Sequence, residues 1–462
     1  MADSQSRQAS RLDLAQLRRL VEIGEIDTVI TAFADMQGRL MGKRVSAEFF
    51  LEHVTEDGIH FCNYLLGTDM EMTCPPGFRL MSWEQGYGDW LARPDWSTLR
   101  RIPWLEKTAL VLADAEFEDG TPVPVAPRQV LRRQLEKARA MGFTVMAAAE
   151  LEYYLIRDDY DTARRKNYHG LEPYGWYNED YHILQGTRGE PIHRQIRLGM
   201  QAAGIPIEFT KGEAGVGQHE ANIRFAEALE SADRAILFKH GAKEIALRSG
   251  CSITFMAKPD HTWTGSSGHL HLSLWDLAGS RNLFPADGDP HGMSDIMRWF
   301  LGGLLACAQD LSVFFAPNVN SYKRYAVASW APVNVAWARD NRTCGFRIVG
   351  HGPSLRIEDR IPGADINPYL AFAAAIGAGL YGIEHKIDPG PEFHGNAYAA
   401  AKVPRVPRSL YEAIDRLERS EAARAIFGTE VVEHYLNAAR VEQQAYDAVV
   451  TCWERERYYE RG

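Results

Sequence analysis

The chain has 462 residues, 45% hydrophobic and 11% aromatic, enough apolar surface for two or three well-buried domains. A formal net charge of −10 argues against a broadly basic, nucleic-acid-binding surface. Six widely spaced cysteines (Cys62, Cys74, Cys251, Cys307, Cys344, Cys452) form no CxxC pair, which fits reduced thiols in a cytoplasmic protein better than a disulfide frame or a zinc knuckle.

The first ten residues are polar and expected to be loose, and the first thirty carry charges throughout, with no apolar signal-peptide core. Residues 12–23 have the spacing of an amphipathic helix, with Leu14, Leu17, Leu20 and Val21 on one side and Gly24 at its end. Residues 27–35 and 40–45, joined by a turn at 36–39, predict a hairpin, and residues 109–114 a buried strand. Residues 61–104 between them are rich in Gly, Pro and Trp. Turn formers cluster at 118–124, so a domain boundary is placed there, dividing the chain into 1–117 and 118–462.

A helix over 128–141, bracketed by Pro127 and Gly142, leads into a strand with Glu150 and Glu152. Residues 157–190 read as a long, polar, Tyr-rich loop. A helix from a Ser231 cap to Arg248 is expected next, then strands over 252–256 and 268–275. The apolar run 369–383 is short for a membrane span and predicts a buried helix. Helices over 410–427, with a Ser409/Glu412 capping box, and from about Glu430 close the chain. Scattered strands and helices without βαβ alternation predict the α+β class.

Side chains alternate across a strand, so Glu150 and Glu152 share one face, which is costly unless they are solvated or hold a cation. Four further stretches supply partners. Glu213 and Glu220 flank a glycine-rich loop, and His269, His271 and Ser273 alternate with leucines. Arg324, Arg342 and Arg347 recur within apolar sequence, and Arg356, Glu358 and Arg360 share a face. Each alone has an ordinary structural explanation. Together they form a carboxylate and imidazole set suited to Mg²⁺ or Mn²⁺ beside arginines, an environment for phosphoryl transfer. No Walker A or dinucleotide fingerprint is present.

In order and spacing, Glu150-Leu-Glu152, Glu213 with Glu220, Gly268-His269-Leu-His271-Leu-Ser273, Asn320-Ser-Tyr-Lys-Arg324, Asn341-Arg342 with Arg347, Arg356-Ile-Glu358-Asp-Arg360 and Asn367-Pro-Tyr-Leu370 resemble the motifs of the glutamine synthetase family. The resemblance covers residues 27 to 370. It implies an N-terminal β-grasp domain before a catalytic domain of curved antiparallel strands and helices. It also implies a homo-oligomer with active sites between neighbouring subunits, a dodecamer of two hexameric rings. Its substrates would be ATP, glutamate and an amine, with two or three Mg²⁺ or Mn²⁺ ions and no nucleic-acid or membrane partner. Carried over by position, Glu152, Glu213 and Glu220 would hold one ion, and Glu150, His269 and Glu358 another. His271, Ser273 and Arg356 would meet the nucleotide; Gly265, Arg324 and Arg360 the glutamate; Arg342 and Arg347 the transferring phosphoryl group. Asp35 matches an acidic position on the ammonium side.

The informative departure is Trp330 in Ser329-Trp330-Ala331-Pro332, where glutamine synthetases carry a glutamate that helps deprotonate ammonium. An indole cannot accept that proton, but its face can pack a larger amine. Thr264 replaces a usual asparagine on the glutamate side. The pattern therefore resembles ligases that join glutamate to organic amines, the γ-glutamylpolyamine and γ-glutamylethanolamide synthetases. Asp69, Glu71 and Glu84 are available for a second cation of a polyamine, and Tyr398 matches a modified tyrosine of bacterial relatives in barely three residues. An ordinary glutamine synthetase, a non-catalytic relative and a metal-dependent amidohydrolase are the alternatives weighed.

Overall fold

The computed structural model describes residues 11–462; the expectation for the first ten residues lies outside the described residues. Strands β1 (Thr28–Ala34), β2 (Leu40–Ser46), β3 (Ile59–Cys62), β4 (Asp89–Pro94), β5 (Arg100–Arg101) and β6 (Thr108–Glu116) form a sheet in the order β2-β1-β6-β4-β3, with β5 also on β6. β1 is antiparallel to β2 and parallel to β6, the β-grasp pairing. Alternation divides these strands between two cores. Val29, Ala109 and Val111 pack with Leu17 of the helix Leu14–Glu22, while Ile30, Ala32, Leu110 and Leu112 join the main core with Phe33 and Trp90.

The second sheet is built on the 13-residue β7 (Thr144–Ile156). Its other strands are β8 (Ile207–Gly212), β9 (Gln218–Ile223), β10 (Ala226–Glu227), β11 (Ser252–Thr254), β12 (Gly268–Trp275), β13 (Trp337–Arg339), β14 (Phe346–Val349) and β15 (Arg356–Asp359). The order is β13-β14-β15-β12-β7-β9-β8, with β10 and β11 also paired to β7. Only the β13–β14 pair is parallel. The apolar run is the buried helix Pro368–His385, and among the described residues no helix is long and apolar enough to cross a membrane. The fold is α+β, as expected.

Local differences have local causes. The helix ending at Arg248 begins at Ala228, so Ser231 lies buried inside it and does not cap it. The single helix expected over 410–427 breaks at Ser420, whose hydroxyl accepts from the Ala423 amide and starts a second helix. The Ser409 box is half formed, because the Glu412 carboxylate accepts from the Arg408 amide instead of Ser409. Residues 157–190 are mostly loop but include the helices Tyr160–Arg165 and Ile183–Gly186, and a further helix occupies Cys452–Tyr458.

Two contacts tie the sheets together. The Asn367 amide donates to the carbonyls of Asp35 and Met36 at 2.9 and 3.2 Å, and a Cβ on Gly38 would come within 3.0 Å of Asn367 Cα. Arg128, at the start of the helix Pro127–Ala140, is buried and donates to Asp95, Asp114 and Asp233 at 2.8–2.9 Å, while Tyr369 donates to Asp233 at 2.7 Å. Truncating one partner of such a network leaves buried charges uncompensated. Arg128→Met is expected to destabilise the protein by about 3–5 kcal/mol, read as a fall in the thermal midpoint; an unchanged midpoint would show that the network is dispensable.

Candidate active site

Strand register assembles the site. On β7, Glu150 stands opposite His269 of β12 and Asn222 of β9, and Glu152 stands opposite Glu220 of β9, itself opposite Lys211 of β8. His271 of β12 stands opposite Glu358 of β15, and Glu358 opposite Arg347 of β14. Directly opposed residues lie within side-chain reach, so the charged groups form a continuous polar field on one face. Leu151 and Tyr153 point to the other face and are fully buried. The polar face floors a cleft of about 670 Å³, also lined by Gly265, Arg342, Arg356, Arg360 and Trp330.

Two trios within the cleft each place ligand-capable atoms within 4.8 Å of one another: Glu150, His269 and Glu358, and Glu152, Glu213 and Glu220. The first trio is met by two imidazoles and two arginines. His269 Nδ1 lies 3.0 Å from Glu150 and 3.4 Å from Glu358, and Glu358 accepts from Arg360 at 2.6 Å and from Arg347 at 2.9 Å. Burial works against its charge, but Arg360, His269 and His271 hold the Glu358 carboxyl down at about 2. Burial likewise opposes the charge on Glu150, yet hydrogen bonds from His269 and His271 keep it well below the usual carboxylate range. Burial and the neighbouring Arg360 push His269 down to about 4, so its imidazole is neutral at neutral pH, the state a ligand requires.

The second trio is short of positive charge. Burial and the charge of Glu213 push Glu152 up to about 8, and burial with the charges of Glu150, Glu213 and Glu152 raises Glu220 well above its ordinary value. Burial also raises Glu213, against the opposing effect of its ion pair with Lys211. Three carboxylates crowded under one ammonium are the donor set a hard divalent cation fits: oxygen ligands, excess negative charge and no thiolate.

The remaining expected residues divide into those at the cleft and those behind it. His271 is fixed between two partners: Arg356 Nε donates to its Nδ1 at 3.1 Å, so the other nitrogen carries the proton and faces Glu150 at 3.2 Å. Arg342 is exposed at the rim, and Trp330, 61% exposed, overhangs the same cleft. Ser273 does not line it; its hydroxyl accepts from Trp275 at 2.9 Å. Arg324 is buried behind the wall, donating to the carbonyls of Ile361 and Arg360 and to Ser267 at 2.7–3.0 Å. Gly265 is needed there, because a Cβ would come within 2.7 Å of the Arg324 stem. Asp35 lies in the other sheet, fully buried against Arg39 at 2.6 Å, and the chain does not bring it to its own cleft.

Sequence reasoning missed several cleft residues. Gln218 donates to Glu152 at 3.1 Å and to Gly265 O at 3.0 Å, and the Ser267 amide donates to Glu152 at 2.8 Å. Asp180 and Tyr181, within the segment read as a loop, stand on the far side of Lys211, at 3.5 Å from Asp180 and 4.4 Å from the Tyr181 ring. The charge deficit of the second trio gives a direct test. Glu220→Gln should raise the thermal midpoint of metal-free protein while weakening Mn²⁺ binding, measured by calorimetry, about tenfold or more. A lower metal-free midpoint with intact Mn²⁺ affinity would contradict this charge assignment.

Residues 124–458 match the family model described as glutamine synthetase, catalytic domain. The chain is 50% identical to the gamma-glutamylethanolamide synthetase GlnA4 of Streptomyces coelicolor over 97% of its own length and 96% of that protein's. It is 41% identical to a glutamate–isopropylamine ligase of Pseudomonas sp over 97% and 98%. It also resembles the solved structure titled GmaS/ADP complex-Conformation 1, with a TM-score of 0.84, 31% identity and coverage of 96% of this chain and 99% of that one. The chain therefore belongs to the glutamine synthetase family.

Proposed function

We propose that this protein is an ATP-dependent glutamate–amine ligase whose nucleophile is an organic amine, a polyamine or a short monoamine such as ethanolamine. The γ-carboxylate oxygen of glutamate attacks the γ-phosphorus of ATP and ADP leaves. The amine nitrogen then attacks the acyl carbon, and inorganic phosphate and a proton leave. The observation that carries the choice of amine is Trp330 at the cleft: an indole stands there, able to pack a cation on its face but unable to take a proton from ammonium. The two 97%-covering relatives named for glutamate–amine synthesis support the same reading.

In this reading Glu152, Glu213 and Glu220 hold one Mg²⁺ or Mn²⁺ and Glu150, His269 and Glu358 a second. Such ions would offset the charge on the transferring phosphoryl group. Arg342, exposed at the rim, and Arg347, anchored to Glu358, neutralise that group from the protein side. Arg356 and His271 orient the nucleotide as one hydrogen-bonded pair, while Ser273 supports the wall through Trp275. Arg360 receives a carboxylate of glutamate beside Gly265. Arg324 acts from behind by fixing the Arg360 carbonyl and Ser267. Asp35 would reach a cleft only across a subunit contact, in keeping with inter-subunit sites in a ring-shaped homo-oligomer, a dodecamer. The division into 1–117 and 118–462 is supported by the partition of the two sheets at that boundary, and a cytoplasmic location completes the reading.

ATP hydrolysis dependent on glutamate, followed over ammonium, ethanolamine, isopropylamine, putrescine and spermidine with the product mass recorded, tests the reading. An organic amine is expected to give the highest turnover and a γ-glutamylamide product; highest turnover with low ammonium would refute it. Trp330→Glu is expected to raise ammonium use and lower use of the bulkier amine, and an unchanged preference would clear Trp330 of selection. Arg342→Ala should cut kcat by about 10²–10³ with little change in KM, measured by ADP release.

A further inference from the structure

The stretch from Phe393 to Ala400 plays no part in the chemistry above, yet it straps together the segments that carry Trp330 and Arg342. The Phe393 amide donates to Trp337 O at 2.9 Å, the Asn341 side chain to Gly395 O at 2.8 Å, and the Ala397 amide to the Thr343 hydroxyl at 3.0 Å. Asn334 donates to Ala397 O, and Ala397 is fully buried in a small core with Ala336, Ala338 and Cys344. Asn396 accepts from the Tyr398 amide at 3.0 Å and so starts the single turn that aims the Tyr398 ring. From there the Tyr398 hydroxyl donates to Ala331 O at 3.0 Å. Burial raises the phenol above its ordinary value, so it keeps the proton it donates.

The segment it reaches is held in an unusual form. Ala328 and Trp330 both have left-handed backbones, at φ of +60° and +65°, a region that L side chains seldom occupy. Among the described residues no hydrogen bond fixes the Trp330 indole; the segment is held through its backbone. Ser329 donates to Ala326 O at 2.6 Å, Arg360 reaches Trp330 O at 3.5 Å, and Tyr398 takes Ala331 O. Of these tethers, Arg360 already serves Glu358 at 2.6 Å, and Ser329, which also reaches Arg324 O at 3.3 Å, bonds only to the stretch just before it. Tyr398 is the tether supplied by the strap, and the shorter of the two that come from beyond this segment.

We propose that Tyr398 is a positioning residue for amine selection, its hydroxyl holding the Ala331 carbonyl so that the Trp330 indole stands over the cleft where an organic ammonium enters. This rests on the reading of Trp330 given above. Because the same strap grips Thr343 beside Arg342, it also keeps the amine side and the phosphoryl side of the cleft in one register.

The test compares Tyr398→Phe, Trp330→Ala and the double variant with the unaltered enzyme, with kcat/KM measured for ammonium and for the fastest of ethanolamine, isopropylamine and putrescine. Loss of one hydrogen bond is expected to lower the organic-amine to ammonium ratio of kcat/KM about three- to tenfold in Tyr398→Phe. The change should fall on the amine KM, with the KM values for ATP and glutamate unchanged. In the Trp330→Ala background Tyr398→Phe should alter the ratio no further, and amide hydrogen exchange over 326–332 should be faster in Tyr398→Phe. An unchanged ratio, an equal fall for both nucleophiles, or additive effects in the double variant would overturn the positioning role. An unaltered enzyme that prefers ammonium would instead refute the reading of Trp330 and this proposal with it.

Discussion

The register of β7 against β9 and β12 is the constraint on which the rest of the cleft depends. Glu150 and Glu152 face the same side only because strand side chains alternate, and they meet His269 and Glu220 only because the pairing sets those residues directly opposite. A slip of one residue would turn both carboxylates into the core now filled by Leu151 and Tyr153. The core guards against that slip. Tyr153 packs edge-on against Phe238 with ring centroids 6.1 Å apart, and its hydroxyl lies 3.0 Å from His193, so the apolar face fixes the polar one.

Within that frame the two acidic trios differ in charge balance. Glu150 and Glu358 are met by two histidines and two arginines, while Glu152, Glu213 and Glu220 have Lys211 and neutral donors. The difference shows in their protonation: the carboxyls of the first trio lie low, and those of the second lie high. A site that keeps its carboxylates ionised through resident arginines and imidazole donors is preorganised. One that holds crowded carboxylates with too little countercharge is poised to gain most from an added cation. The two trios therefore differ in charge deficit even though both are built on the same strand.

Much of the sheet was legible because its signal is local. Alternation marked β7 and β12, and Pro127 and Gly142 marked the helix between the sheets. The ordered motifs pointed to the family and to most of the residues lining the cleft. What could not be read depends on contacts far apart in the chain. Arg324 looks like a free cation in sequence, but its acceptors are the carbonyls of residues 360 and 361, which only the fold brings near. Ser273 is likewise claimed by Trp275. Asp180 and Tyr181 sit in a segment without periodicity, and they join the site through Lys211. Ser231 was misplaced because Ala228, Leu229 and Glu230, all good helix formers, start the helix ahead of the residue that looks like a cap.

Trp330, the residue proposed to face the amine, is placed differently from the cleft carboxylates: it stands on no strand and is held by backbone tethers in a left-handed turn. The central claim is that one strand register builds two cation sites of unequal charge deficit. Anomalous diffraction from crystals soaked in graded Mn²⁺ tests it most directly. The account predicts two peaks, with the one among Glu152, Glu213 and Glu220 filling at the lower concentration; a single peak elsewhere, or earlier filling among Glu150, His269 and Glu358, would contradict it.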